Sequence, residues 1–329
     1  MKKLRFRYIW IILMGILTII YYKLAENRRI MNAVVNFTLP LRQRIARLCS
    51  HISISVGEII CALGVLLFAA WLVRTVVIVV KNRPRLHMFW KQLALLLAVV
   101  MTISFLLCIM LGATFRADGF QEWTGLQAQP ATVDALYAVT ARFAEKLCET
   151  ADSIPRDEAG LFCVPEAEIF ADATEIYRGA EAVFPCLTLE DVPPKRALSS
   201  RLMSICGWTG FYFPFSGEAH LNIEPPTALL PSTIAHEMAH QRGVAAELEA
   251  NFVAILACAE SGNAAYEYSG WLFGFIHLGN ALYAHDSERY YELAAMLPDT
   301  VQTFGPMTNS GRGTKPRPPR SRSSSMTIC

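Results

Sequence analysis

The chain has 329 residues and a formal net charge of +2 at pH 7, so it is close to neutral overall. Hydrophobic residues make up 53% of it, and the mean hydropathy of +0.32 is high for a soluble protein of this length. Most of the hydrophobic excess lies in the first third, so the composition excludes a wholly soluble protein and indicates a membrane segment at the N-terminal end.

Three apolar runs predict membrane-spanning helices. The first, residues 8–22, is short for a span, which needs about 20 residues. Residues 23–29 are mostly polar and offer no small-x-small cleavage site, so we interpret the run as an uncleaved span rather than a signal peptide. Residues 56–80 form the second span and residues 93–115 the third. Residues 1–115 are therefore predicted to be a membrane anchor.

The positions of Lys and Arg predict the orientation, because cytoplasmic loops carry an excess of both. Basic residues precede the first span and also occupy the hairpin between the second and third spans. If there are three spans, these two basic segments lie on the same side of the membrane. We therefore expect a multi-pass protein of the cell membrane with an extracytoplasmic domain after residue 115. Arginines between residues 28 and 47 weaken this assignment, although residues 30–48 can form an amphipathic helix on the outer surface.

Residues 116–303 have the size of one ordinary domain. Thr132 is a capping residue for a helix that runs to Leu147, and residues 166–184 predict another helix. Residues 218–223 alternate between apolar and polar and predict a strand. The domain is therefore expected to be mostly helical with a small sheet.

Residues 236–240, His-Glu-Met-Ala-His, are the most informative motif of the chain. On a helix, His236 and His240 lie on one face and can hold one metal ion, for which zinc is the usual choice. Glu237 projects from the neighbouring face, where it can polarise a metal-bound water and move its proton. Ser232 or Thr233 is expected to cap this helix, and Gly243 is well suited to end it.

A second helix, from Ala245 to Ala257, offers the third ligand that a catalytic zinc site needs. Glu247 and Glu249 are the two candidates, and they point roughly 200° apart around the helix. We prefer Glu247, because Asn251 lies four residues further on the same face and can orient a metal-binding histidine. Glu249 remains the alternative candidate for the third ligand.

These residues resemble the zincin peptidases, in which a Glu from a second helix completes a His-His-Glu site. The longer string from Gly210 to Asn251 resembles an uncharacterised family of bacterial membrane proteins, a domain of unknown function within the zincin-like peptidases. The resemblance extends to about Pro298. It implies a mainly α protein with three N-terminal transmembrane helices and a zincin-like α+β domain, built from an active helix, a small sheet and a second ligand-bearing helix.

Two departures from the zincin pattern bear on the ligands. Asn251 stands where membrane zincins have Asp, so it can accept a hydrogen bond from a histidine but carries no charge. The seven-residue step from His240 to Glu247 is shorter than in thermolysin-like enzymes. It is closer to the metzincin layout, which would place the third ligand at Ala246.

Further candidates lie outside the motif. His220 is interpreted as a half-buried strand residue rather than a ligand, on an edge strand that pairs with extended substrate. Tyr266, Tyr268, His277 and Tyr283 follow the second helix, and any one of them can stabilise an oxyanion, although aromatic residues at helical spacing are more often core.

Residues 304–329 are rich in Arg, Pro and Ser, a composition typical of disorder. Our hypothesis is that a frameshift replaced the natural end of the chain near Phe304, which puts the activity of this particular chain in doubt. A basic tail can bind nucleic acid, but an external location argues against that partner.

Together, these observations predict a membrane-anchored zinc metallopeptidase that hydrolyses peptide bonds with a metal-activated water and Glu237 as general base. Zn²⁺ is the expected cofactor, and the expected partners are the lipid bilayer and a peptide or protein substrate. The alternative is a catalytically silent membrane sensor or scaffold with a zincin fold.

Overall fold

The computed structural model of the chain describes residues 2–298 and 301. The Arg/Pro/Ser-rich tail from residue 304, and with it the frameshift hypothesis, lies outside these residues. The described residues form a mainly helical protein with a small three-stranded sheet, which confirms the predicted mixture of elements. They divide into two compact units: residues up to 119 together with 213–218, and residues 120–212 together with those from 219 onward.

The first unit contains four long helices. They are α1 (Lys2–Leu24), α2 (Arg28–Ser50), α3 (Val56–Lys81) and α4 (Arg85–Leu107), the last continued by a π-helical turn over Cys108–Gly112. Within the described residues, three stretches are long and apolar enough to cross a membrane: Arg5–Leu24, Val56–Lys81 and Arg85–Gly112. They indicate a membrane protein, and the third stretch begins at Arg85 rather than at residue 93 and ends at Gly112 rather than at residue 115.

Helix α2 is amphipathic, as the sequence predicts for residues 30–48. Its buried residues are Met31, Val35, Thr38, Arg42 and Ala46, and their spacing of three or four residues places them on one face. Asn27 caps the helix by accepting a hydrogen bond from the backbone N–H of Ile30. The side of a membrane on which α2 lies stays a prediction.

Residues 213–218 contain a turn, residues 214–217, that is anchored within the first unit. The Glu218 carboxylate accepts hydrogen bonds from the backbone N–H groups of Val56 (3.3 Å) and Gly57 (2.8 Å), the first residues of α3. Gly217 has a φ of +68°, and a Cβ added there would lie 2.4 Å from the carbonyl oxygen of Arg42. Only glycine fits this turn without a shift of the backbone.

The second unit begins with one long helix, α6, and several short elements. They are α5 (Phe120–Thr124), α6 (Val133–Ala151), α7 (Glu166–Asp172), α8 (Arg178–Val183), a 3₁₀ turn (Pro185–Leu187), β1 (Lys195–Arg196) and α9 (Ser200–Cys206). Thr132 caps α6, as predicted. The continuous helix predicted over residues 166–184 is wrong, because a turn separates α7 from α8. Ile176 and Tyr177 are fully buried in that turn, so core packing overrides the helical pattern.

The later elements carry the motif residues. They are β2 (Gly210–Phe213), β3 (Glu218–Leu221), a 3₁₀ turn (Thr227–Leu229), α10 (Leu230–Gln241), α11 (Glu247–Ala259), α12 (Ala264–His285) and α13 (Ser287–Met296). The expected second helix from Ala245 to Ala257 thus corresponds to α11, which begins two residues later.

The sheet has the strand order β1-β3-β2. β1 pairs in parallel with β3, with Lys195 opposite His220. The predicted strand at residues 218–223 is present as β3, but the expectation that it forms an edge is wrong. β1 covers one side of β3 and β2 the other, so all four β3 residues are buried, whereas β2 is an edge strand and only partly buried.

Small residues let the helices of the second unit pack closely. On α10, Ala235 and Ala239 are completely buried, and on α11 Ala250 and Ala254 are buried to the same extent. Gly270 of α12 lies so close to α11 that an added Cβ would be 2.4 Å from the Cβ of Cys258. This close packing fixes α10 and α11, which carry the predicted metal ligands, within one hydrophobic core.

Candidate metal centre

The helix that carries the two histidines has a different start from the one predicted. Helix α10 begins at Leu230, and Ser232 and Thr233 lie inside its first turn rather than capping it. Their hydroxyl groups donate to the carbonyl oxygen of Leu229, at 3.0 and 2.8 Å. Gly243 follows the end of the helix with a φ of +89°, the left-handed conformation that its sequence position predicts.

Three side chains from α10 and α11 converge. Nε2 of His236 is 3.2 Å from one carboxylate oxygen of Glu247, and Nε2 of His240 is 3.7 Å from the other. The ligand atoms of the three residues all lie within 4.8 Å of one another. Tetrahedral zinc with bonds of about 2.0–2.1 Å holds its ligand atoms about 3.3 Å apart. The spacing therefore fits a single ion of that size.

The orientation of His240 is fixed by the turn after α10. Its Nδ1 lies 2.7 Å from the carbonyl oxygen of Val244. Because a carbonyl only accepts hydrogen bonds, Nδ1 carries the proton and the lone pair of Nε2 faces Glu247. A backbone carbonyl behind a histidine ring is a common support for metal-binding histidines.

Asn251 lies one helical turn after Glu247, and its side chain is close enough to His236 to contribute to the raised pKa of that histidine. Nδ1 of His236 has no hydrogen-bond partner among the described residues. Glu247 contacts this ring at Nε2, the nitrogen that faces the cluster, and the orienting role of Asn251 stays a prediction.

The electrostatics of the cluster are dominated by burial and by the Glu247 carboxylate. Burial alone would lower the pKa of His236, but its hydrogen bond to Glu247 and the charges of Glu237 and Glu247 outweigh burial and raise it. Burial, and then the charge of His236, lower the pKa of His240. The hydrogen bond to His236 lowers the pKa of Glu247.

Glu237 is buried beside the cluster without belonging to it. Its side chain is not one of the three converging groups, and its Oε2 has no hydrogen-bond partner in the described part of the chain. Burial raises the pKa of Glu237 to about 7, against the opposing charge of His236. An unpaired carboxylate next to two imidazoles is a group that can exchange protons.

The backbone of β2 covers the other side of Glu237. A Cβ added at Gly210 would lie 2.5 Å from Oε1 of Glu237, so the absence of a side chain at position 210 makes room for the carboxylate. Gly210 is not among the site residues predicted from the sequence. A glycine in a strand marks a close approach of another group, and this signal could have identified it.

Glu249, the alternative third ligand, is placed elsewhere. Its carboxylate accepts hydrogen bonds from the backbone N–H groups of Phe120 (2.9 Å) and Gln121 (3.3 Å) and from the side-chain amide of Gln121 (3.2 Å). Glu249 thus caps the first turn of α5. Of the two candidate carboxylates, Glu247 is the one that faces the histidines.

His220 and three of the aromatic candidates are packing residues. His220 is fully buried in β3, more than the half-buried position predicted, and stacks on Phe211 at 4.5 Å between ring centroids. The hydroxyl of Tyr266 donates to a backbone carbonyl in the core, and Tyr268 stacks within the same core. Tyr283 packs edge-on against neighbouring tyrosines of α13.

His277 differs from the other aromatic candidates. It lies on α12, where its ring packs edge-on against Phe273 at 4.5 Å and the residue is more than a third exposed. Burial of part of the ring lowers its pKa, and the charge of His236 lowers it further. The second effect places His277 within electrostatic range of the cluster, although it is not one of the converging ligands.

A buried arginine at the end of α10 is a further residue that the sequence analysis missed. Arg242 forms ion pairs with Glu181 (3.1 Å) and Asp191, and its guanidinium lies 3.5 Å from the centroid of the Tyr177 ring. The hydroxyl of Tyr177 donates to the carbonyl oxygen of Ala235 at 2.6 Å. The network joins the segment around α8 to the helix that carries both histidines.

A family model described as "Protein of unknown function (DUF3810)" matches residues 35–304 of this chain. The match covers most of the first unit and the whole candidate metal centre. No curated protein and no solved structure matches the chain.

Proposed function

We propose that this chain, which belongs to the DUF3810 family of proteins of unknown function, is a membrane-anchored zinc metallopeptidase. One observation carries the proposal: Nε2 of His236, Nε2 of His240 and the Glu247 carboxylate converge, and the buried, unpaired carboxylate of Glu237 lies beside them. Two imidazoles and one carboxylate on two helices form the ligand set of a zincin-like catalytic site.

The number of ligands favours a catalytic over a structural site. Structural zinc sites are closed by four protein ligands, whereas catalytic sites use three and keep one position open. Among the described residues, the converging group contains three members. A zinc ion held there would act as a Lewis acid that polarises a carbonyl group and lowers the pKa of water.

The protein's own residues orient the two histidines and transfer protons. Val244 orients the ring of His240 and Glu247 contacts that of His236, so both imidazoles present Nε2 to the Glu247 carboxylate. Glu237 is positioned to take a proton at Oε2 from the attacking water and to return it to the leaving amine. Its Oε1 lies in space that a side chain at position 210 would occupy.

The first unit indicates where in the cell the reaction takes place. Three apolar helices anchor the chain in a lipid bilayer. The excess of Lys and Arg before the first span and between the second and third supports an extracytoplasmic catalytic domain. The substrate is then a peptide or protein outside the cytoplasm.

Replacing Glu237 by Gln tests the proposal. The amide keeps the shape of the side chain but cannot act as a base, and general acid–base catalysis contributes about 10²- to 10⁴-fold. The full chain in nanodiscs should therefore keep one zinc, measured by atomic emission, and lose at least about a hundredfold in hydrolysis of a mixed peptide library.

Glu249→Gln is the matched control, because it makes the same chemical change at a carboxylate that caps α5. It should keep both zinc and hydrolysis. If the unaltered chain binds zinc but hydrolyses no peptide, or if Glu237→Gln cleaves at the unaltered rate, the peptidase proposal is wrong. The sensor or scaffold with a zincin fold would then replace it.

A further inference from the structure

A cleft lies beside the candidate metal centre in the second unit. It is lined by residues between 222 and 230, by Thr209 just before β2, by Thr233 on α10, by Phe273 on α12 and by Glu166. The space inside the cleft has a volume of about 100 Å³. Sites for whole small ligands span about 300–1,000 Å³, so the cleft has room for a single substrate side chain.

Two helices connect the cleft directly to the site. Thr233 precedes Glu237 by four residues on α10, so both lie on one face of the helix. On α12, Phe273 lines the cleft and its ring packs against His277, which is within electrostatic range of His236.

The edge strand makes a third connection. Thr209 lines the cleft, and the next residue, Gly210, contacts the Glu237 carboxylate with its backbone. The carbonyl of Thr209 accepts a hydrogen bond from the backbone N–H of Asn222 at 2.9 Å, which holds the two walls of the cleft together. Three segments of the second unit therefore carry residues that line the cleft close to residues at the candidate catalytic centre.

The lining selects for an apolar occupant. Ile223, Leu229, Leu230 and Phe273 contribute hydrocarbon surface, and two prolines between residues 222 and 230 add more. The charged lining residue, Glu166, forms an ion pair with Arg196. A charged substrate side chain would lose its hydration there without gaining a dedicated partner, and that loss is costly.

The distance from the catalytic residues fixes which substrate side chain can enter. Four helical residues rise about 6 Å from Thr233 to Glu237. An extended peptide advances about 3.3 Å per residue, so 6 Å corresponds to about two residues. We infer that the cleft binds one apolar side chain of an extended peptide, belonging to a residue within two positions of the scissile bond. The inference rests on the proposed peptidase function.

Cleavage-site profiling of the full chain with a peptide library tests the selection. The unaltered protein should favour Leu, Ile, Met or Phe over Ala at one fixed position by at least about tenfold, the lower range for hydrophobic pockets. Ile223→Trp narrows the cleft at a residue that is 40% exposed, which is compatible with folding. It should shift the preference to Ala, whereas Phe273→Ala should shift it to Phe and Trp.

Phe252→Ala is the matched control, because it removes the same atoms from α11 at a half-exposed residue that does not line the cleft. Its cleavage profile should equal that of the unaltered protein. A profile with no apolar preference, or one that Ile223→Trp leaves unchanged, overturns the inference.

Photo-crosslinking gives a readout that does not depend on hydrolysis. The probe is the nonapeptide acetyl-Ala₄-photoleucine-Ala₄-amide, irradiated with the full-length Glu237→Gln protein. Mass spectrometry should locate the adducts on residues between 222 and 230 and on Phe273. The peptide with Leu at the central position should compete at least about tenfold better than the peptide with Glu.

The two readouts separate failure of the inference from failure of the proposed function. Adducts in the cleft that the Leu peptide displaces, without any hydrolysis by the unaltered chain, refute the peptidase and support the binding site. Hydrolysis without adducts in the cleft supports the peptidase and refutes the inference.

Discussion

Separate replacement of Glu247 and Glu249 by Ala should have opposite effects on metal binding and on stability. Glu247 faces both histidines, at 3.2 and 3.7 Å, and its side chain is otherwise 72% exposed. Glu249 accepts three hydrogen bonds at the start of α5, from Phe120 and Gln121. The first change should remove a metal ligand and the second a helix cap.

The expected magnitudes follow from these contacts. Loss of a residue that merely orients a ligand weakens metal affinity by about 10- to 100-fold, so loss of the Glu247 ligand should weaken zinc binding by more than about 100-fold. Without zinc, Glu247→Ala removes a contact to His236 from a mostly exposed side chain and should change stability by less than about 1 kcal/mol. Glu249→Ala should cost about 0.5–2 kcal/mol, as for other helix caps. This corresponds to a fall in Tm of about 1–8 °C.

The assay combines chelator competition for zinc with thermal unfolding, each with and without zinc. The unaltered chain and Glu249→Ala should have the same zinc affinity, and zinc should raise the Tm of both. Glu247→Ala should lower the zinc-free Tm by less than about 4 °C and abolish the increase that zinc produces. Zinc loss in Glu249→Ala together with retention in Glu247→Ala would refute the ligand assignment.

Two further changes test the surroundings of the site. Gly210→Ala places a Cβ 2.5 Å from Oε1 of Glu237. Peptide hydrolysis should therefore fall by at least about tenfold while zinc stays bound. Gly64→Ala is the control, because a Cβ added at Gly64 meets no other atom within 4 Å. Equal activity of the two variants contradicts the role assigned to Gly210. Arg242→Met leaves two mostly buried carboxylates unpaired and should cost about 3–5 kcal/mol, a fall in Tm of about 6–20 °C. Arg142→Met, in an exposed pair, should cost less than about 1 kcal/mol, and equal effects of both arginine variants would contradict the role of the buried network.

The part of the site that could be predicted from the sequence depends on local helical geometry. His240 is four positions after His236, and Glu247 is seven positions after His240. Once these residues are assigned to two helices, helical geometry restricts the directions of their side chains. The same geometry separates Glu247 from Glu249, and in the structure only Glu247 faces the histidines. The three long apolar helices follow equally directly from length and composition.

The remaining contacts join residues that are distant in the sequence. β1 is only two residues long, so no periodicity predicts that it pairs with β3 and leaves β2 at the edge. Glu249 binds Phe120, which lies 129 residues earlier in the chain. Arg242 binds Glu181 and Asp191, and a charge pattern within α10 carries no information about that pairing. Such contacts are set by the packing of the whole unit.

The turn between α10 and α11 explains how so short a connection completes the site. Gly243, with a φ of +89°, reverses the chain directly after α10. The next carbonyl, that of Val244, accepts from His240, so the same turn that ends the helix also orients one ligand. Ala246 is then the residue before α11, and Glu247 is its first residue. A metzincin-like ligand at position 246 would precede the helix, whereas one position later the carboxylate starts from a fixed helical backbone and reaches both imidazoles.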